Sequence, residues 1–270
     1  MALVTINFES QYLGNNHNVG IILPDRPRQL PAAEYYASGK KYPVLWLLHG
    51  TLGDYSDWLR KSMIELYASE RDVIVVMPSA LNSNYANWPE FLTGYNFYDY
   101  FFEELMPLVY NWFPASDKRE DNFVAGLSMG GRGTCVLALN RPDRFGAMSA
   151  LSGFPRDFHE LKEEGGPMWE RMKKSAVNFK DEAEFLDSYQ NTWKVLADAV
   201  KNGVDLPRLQ FGCGEDDGLY PAFLHFKERA EKELQLDADF FSIPGYKHEW
   251  RFWDIGIQKA MDFFGLKKKD

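Results

Sequence analysis

The stretch with the clearest chemical content is Gly126-Leu127-Ser128-Met129-Gly130-Gly131. It has the form G-x-S-x-G, in which a serine sits on a sharp turn between a strand and a helix, and small neighbours let those elements approach. The flanks fit that setting. Asn122-Phe123-Val124-Ala125 reads as a strand entering the turn, and residues 134–139 read as a helix leaving it. A serine hydroxyl becomes a nucleophile only when a base takes its proton. Of the five histidines, His17 and His49 precede the serine, His159 opens a long charged segment, and His225 falls within a helical pattern. His248 follows the last strand pattern, in a loop leading into the final helix, and is the expected base.

Two further parts complete such chemistry. An acid must hold the imidazole tautomer and stabilise the imidazolium, and it belongs in the loop after the preceding strand. Gly214-Glu215-Asp216-Asp217-Gly218 offers three acids there, of which Asp217 is preferred to Asp216. No second His or Asp cluster accompanies them, so no metal site is read. Donors for a developing oxyanion are also needed. One is the backbone N–H of Met129; the other is expected from His49-Gly50-Thr51-Leu52-Gly53, with Thr51 preferred to Leu52. His49 itself reads as a structural hydrogen-bonding residue.

Positioning these groups requires a sheet. Apolar runs at 43–48, 73–77, 122–126, 147–151, 209–213 and 239–243 alternate with amphipathic stretches, which predicts a mostly parallel sheet with helices on both faces. Val4, Ile6 and Phe8 alternate with polar residues, and a second run at 18–23 follows a turn at 14–16; these predict antiparallel strands at the sheet edge. Helices are expected over 58–69, capped by Asp54 or Asp57, and over 130–140, 221–234 and 250–264. Another runs along Phe97, Phe101, Leu105, Leu108 and Trp112, with a kink at Pro107. Residues 153–207 exceed a simple crossover, break at Gly165-Gly166-Pro167, and are expected to form a small cap inserted in one α/β-hydrolase domain spanning 1–270. Twelve aromatic residues fall between Tyr85 and Phe113. Those in the non-helical part follow a strand's C-terminal end, where ligands bind in α/β sheets, so Trp88 and Phe91 are expected to line a substrate pocket. Tyr220 and Trp250, near the acid and the base, are further candidates.

Composition narrows the class. The 270 residues are 45% hydrophobic, too apolar for a disordered chain, and the net charge of −9 disfavours nucleic acid and anionic membrane surfaces as partners. The longest apolar runs are far shorter than the roughly 20 residues of a spanning helix. No signal peptide is read at the N-terminus and the two cysteines, Cys135 and Cys213, read as reduced packing residues, so a cytoplasmic location is expected. Homo-oligomerisation is left open.

In combination, Leu47-Leu48-His49-Gly50, Lys118-Arg119-Glu120 with residues 123–131, Cys213-Gly214-Glu215-Asp216-Asp217 and His248-Glu249-Trp250 resemble the tributyrin esterase branch of the esterase D superfamily. That superfamily includes S-formylglutathione hydrolases, feruloyl and acetylxylan esterases, and mycolyltransferases. The similarity runs from about residue 40 to the end and is weakest over 153–207. Its glycine-x-x-aspartate pattern lands on Gly214 and Asp217, and its first oxyanion donor follows the His-Gly pair, at Thr51. Glu249-Trp250 departs from the aromatic residues usual after the histidine in formylglutathione hydrolases. The resemblance implies a cofactor-free serine carboxylesterase for short acyl groups on small-molecule esters. A carbohydrate esterase, a thioesterase or S-formylglutathione hydrolase, and a non-catalytic binding protein on the same fold are the alternatives.

Overall fold

In the computed structural model, which describes residues 2–269, the apolar runs form one eight-stranded sheet. Its strands are Ala2–Ser10 (β1), Asn15–Leu23 (β2), Val44–Leu48 (β3), Ile74–Pro78 (β4), Asn122–Leu127 (β5), Ala147–Leu151 (β6), Arg208–Gly214 (β7) and Ala238–Ile243 (β8). The order across the sheet is β1-β2-β4-β3-β5-β6-β7-β8. β1 and β2 form an antiparallel hairpin whose outer strand alternates exposed and half-buried positions, and β2 runs antiparallel to β4. All the other pairings are parallel. The hairpin turn lies at residues 11–14, and Asn15 and Asn16 already belong to β2, pairing with Ser10 and Glu9.

Covering both faces explains the continuous apolar runs. In β3, Val44, Trp46 and Leu48 enter one core layer and Leu45 and Leu47 the other. The first layer receives the Met129–Asn140 helix, and the second receives Phe252, Ile257 and Ala260 of the Trp250–Phe263 helix. Among the described residues no helix is long and apolar enough to cross a membrane.

Three helical expectations change. The expected helix over 58–69 is two, Asp57–Lys61 and Ile64–Ser69, and its N-cap is Ser56; Asp54 instead accepts from the Ser56 backbone N–H at 2.7 Å. The stretch 97–112 stays helical through Pro107, but a wider π-helical segment, Tyr100–Leu105, precedes the proline. The extra residue in that turn accommodates a proline without an N–H donor and rotates the buried stripe. Met106 and Val109 therefore face the core where Leu108 and Trp112 were expected, and Trp112 is exposed.

Residues 153–207 leave β6 and return to β7. They contain the helices Phe158–Glu164, Gly166–Met172, Glu182–Leu186 and Thr192–Lys201. Phe158, Leu161, Trp169, Met172, Phe185 and Leu186 form a separate apolar cluster, while Trp193 and Leu196 join the main core.

Two histidines are built into the fold. His17, on β2, is buried with its ring edge against Tyr100, and burial depresses its pKa from 6.5 to about 4. His49 accepts from the Ala80 N–H at Nε2 (2.8 Å) and donates from Nδ1 to the Gly50 carbonyl (2.6 Å). It thus clips the loop after β3 to the loop after β4, and burial lowers its pKa as well.

Two predictions follow from this packing. A Cβ at Gly130 would lie 2.5 Å from the Leu48 carbonyl oxygen, and one at Gly126 would lie 2.4 Å from the Gly130 oxygen. Gly130→Ala should therefore lower stability by about 1–3 kcal/mol in urea denaturation, the usual cost of overpacking. Unfolded histidine binds a proton near pH 6.5 and folded His17 only near pH 4, so unfolding takes up a proton between those values. The His17 contribution is complete only well above pH 6.5, and stability should fall by about 2 kcal/mol between about pH 7.5 and pH 5 from His17 alone. A His17→Gln chain should show a shallower decline over the same interval.

Candidate active site

Ser128 follows the last residue of β5 and stands directly before the Met129–Asn140 helix, with φ +54° and ψ −114°. This backbone region costs a non-glycine residue on the order of 1–3 kcal/mol and persists only where the surroundings impose it. Here the Ser128 N–H donates to the Leu151 carbonyl (2.8 Å), and its own carbonyl accepts from the Arg132 N–H (3.0 Å). Adjacent β6 and the first helical turn thus hold the turn from both sides.

His248 lies beyond β8 and reaches the serine: its Nε2 is 2.8 Å from Ser128 Oγ, and its Nδ1 is 2.8 Å from Asp217 Oδ2. With the Nδ1 proton donated to the carboxylate, Nε2 is the acceptor for the serine hydroxyl. This chain of two hydrogen bonds can draw the Ser128 proton onto Nε2 as the oxygen attacks. Asp217 is 3% exposed. Burial works against its charge, but hydrogen bonds from His248, the Leu219 N–H and Ser152 outweigh it and hold the carboxyl below its ordinary pKa. Glu215 and Asp216 point elsewhere. Glu215 accepts from Ser242, and Asp216 is exposed with its N–H on the Tyr246 carbonyl.

The loop after β3 runs beside the serine, since a Cβ on Gly50 would lie 3.6 Å from that of Ser128. Trp58 donates to the Leu48 carbonyl (3.1 Å) and the Tyr85 hydroxyl to the His49 carbonyl (2.7 Å), so the loop is pinned from beneath. The Leu52 N–H is committed to Asn82 Oδ1 at 2.9 Å. Among the described residues the Thr51 and Met129 N–H groups donate to nothing in the chain, which leaves them available at this turn.

A cavity of about 50 Å³ opens beside Ser128 and Met129, walled by Asn84, Phe154, Met168 and Met172 and by Arg132, Arg156 and Arg171. The sequence-selected aromatics lie outside it. Trp88 and Phe91 line a neighbouring groove of about 300 Å³ with Leu81, Asn82 and Tyr95. Tyr220 stacks on Phe223, and Trp250 packs edge-on against Trp58 and Trp253. Sequence reasoning missed Ser152 and Trp253. The Trp253 ring meets His248 edge-on at 5.0 Å and its indole N–H donates to Ser152 Oγ (3.1 Å), which in turn supports Asp217. The only available signal was a second tryptophan one helical turn after Trp250. The wall arginines gave no signal, because their convergence depends on how 153–207 folds back.

A family described as "Putative esterase" matches residues 10–256. An acetyl esterase from Caldicellulosiruptor saccharolyticus is 28% identical over 273 residues, covering 97% of this chain and 98% of that protein. A substrate-bound fluorophosphonate-binding serine hydrolase of Staphylococcus aureus superposes with a TM-score of 0.80 at 28% identity, over 97% of this chain and 98% of its own. An S-formylglutathione hydrolase of the same organism gives a TM-score of 0.79 at 29% identity, with the same coverage. The sheet order, the helices on both of its faces and matches that run nearly end to end agree: the chain has the α/β-hydrolase fold, belongs to this esterase family and is a carboxylic ester hydrolase.

Proposed function

We propose that this esterase cleaves esters of short acyl groups, acetyl to butyryl, with Ser128 as nucleophile, His248 as base and Asp217 as orienting acid. The observation that carries the reading is the pair of 2.8 Å hydrogen bonds linking the three side chains. Ser128 Oγ bonds to the ester carbonyl carbon as its proton passes to His248 Nε2. Asp217, low in pKa and buried, steadies the resulting imidazolium. The N–H groups of Thr51 and Met129 hold the oxyanion, the second of them at the positive end of the Met129–Asn140 helix. Collapse of the tetrahedral species breaks the bond to the leaving alcohol, which takes the proton from His248. Water, deprotonated by His248 in turn, then releases the acid and restores Ser128.

Cavity size supports the acyl preference. The cavity beside Ser128, at about 50 Å³ against about 300 Å³ for the Trp88 groove, is tight. An acetyl group suits that space, and somewhat longer chains need Met168 and Met172 to turn aside, which their unbranched side chains permit. The acetyl esterase relative points the same way. We further infer one domain in which 153–207 is a cap: its last helix adds Trp193 to the main core while Met168 and Met172 reach over the cavity.

On p-nitrophenyl esters, kcat/KM should be highest for acetate or butyrate and fall steeply by octanoate. Ser128→Ala and His248→Ala should each lose at least about 1,000-fold in kcat with unchanged circular dichroism. Asp217→Asn should cost about 100-fold or more, and Asp216→Asn less than about threefold. A larger loss at Asp216 would reassign the acid. A thioester run beside its oxygen ester tests the formylglutathione-type alternative.

A further inference from the structure

Three arginines line the cavity beside Ser128 from three different segments: Arg132 from the helix after the serine, Arg156 from the chain leaving β6, and Arg171 from the Gly166–Met172 helix. No aspartate or glutamate lines that cavity among the described residues. Arg132 is 7% exposed; its Nη2 donates to the Gln190 carbonyl (3.1 Å), while Nε and Nη1 have no partner. Arg156 lies over the Phe154 ring at 4.1 Å, and Arg171 donates only to the hydroxyl of Thr51, at 2.6 Å. The carboxylates in their neighbourhood are engaged elsewhere or face another cavity. Glu160 is held by Arg229 and His225 and Asp157 by Arg229, while Glu164 and Glu160 share an adjacent cavity with Arg156 and offset part of its charge without bonding to it.

That arrangement is unusual in a chain of net charge −9. Buried charges are ordinarily paired, because an unpaired buried charge is costly. Burial, and then the charges of Arg171 and Arg156, lower the Arg132 pKa to about 10, and burial does the same to Arg156; both remain cationic at neutral pH. The unpaired donors are what a planar anion would satisfy, since the guanidinium fork matches a carboxylate.

We propose that the ester taken by this enzyme carries a carboxylate, which Arg132, Arg156 and Arg171 receive beside the nucleophile. This inference rests on the reading of Ser128 as nucleophile.

Two matched pairs of substrates distinguish the half of the ester that bears the anion. Monoethyl succinate against ethyl pentanoate places the charge on the acyl side, and 2-acetoxypropanoate against its amide places it on the alcohol side. In the wild-type enzyme kcat/KM should favour the anionic member of one pair by ~10-fold or more, the scale of one charge-assisted hydrogen bond. Arg156→Met, which removes no hydrogen bond, and Arg132→Met should each bring that ratio towards one. A purely structural role would lower turnover of both members alike. Free succinate titrated into the wild-type enzyme by calorimetry should bind at millimolar concentration or below, and Arg156→Met should weaken it ~10-fold. A ratio of one or less in both pairs, with Ser128-dependent turnover of the neutral esters intact, overturns the inference and leaves the esterase mechanism standing. A preference unchanged in both variants overturns it too. Were no ester turned over through Ser128, the mechanism would fall, and absence of succinate binding would overturn the inference as well.

Discussion

The contact on which the site depends is between backbones. The Met129–Asn140 helix starts so close to β3 and β5 that the Leu48 and Gly130 carbonyls occupy the space where a Cβ would stand. Only glycine permits that approach, and the approach fixes Ser128 in its strained conformation. Strain of this kind is held by many weak constraints at once: the bond to Leu151, the first helical turn, and two apolar layers that prevent the sheet from relaxing. The same closeness brings the His49-Gly50 loop beside the serine, so serine and loop are set by one packing decision.

Around that fixed point the chain divides its labour. The sheet side is tied down: His49, Trp58, Tyr85 and Asn82 each pin the loop after β3. Asp217 is likewise surrounded by donors that outweigh the cost of burying its charge. The opposite wall combines flexible methionines and two arginines from 153–207 with Arg132 of the helix after the serine, whose guanidinium has unspent hydrogen-bonding capacity. One wall is thus tied down and the other left with bonding capacity to spare, an arrangement in which a shared fold can vary its contacts without disturbing its frame.

What could be read from the residues follows the same division. The strand-turn-helix around Ser128, the sheet pattern and the loop positions of Asp217 and His248 are local signals, each contained within about ten residues of sequence. The π-helical turn was not legible, because the regular spacing of Phe97, Phe101 and Leu105 continues only as long as the helix keeps 3.6 residues per turn. The cavity wall was not legible either. Aromatic side chains near the acid and base were natural candidates, yet Trp250 and Tyr220 are taken up by packing against other rings. Ser152 and Trp253 support the acid and the histidine through a link that crosses 101 residues of chain, a relationship no local pattern encodes.

The bond between His248 and Ser128 joins residues 120 positions apart, and so does that between Arg171 and Thr51. Between the serine and the histidine lie β6, the whole inserted segment, β7 and β8. Loops of that length close only after the intervening parallel strands have found their neighbours, the slow part of folding in such topologies. Hydrolytic competence is therefore a late event in the life of the chain. Under the proposed mechanism a nascent or partly assembled sheet holds a serine that has no base, and the polypeptide stays chemically silent until its last strand and last helix have docked.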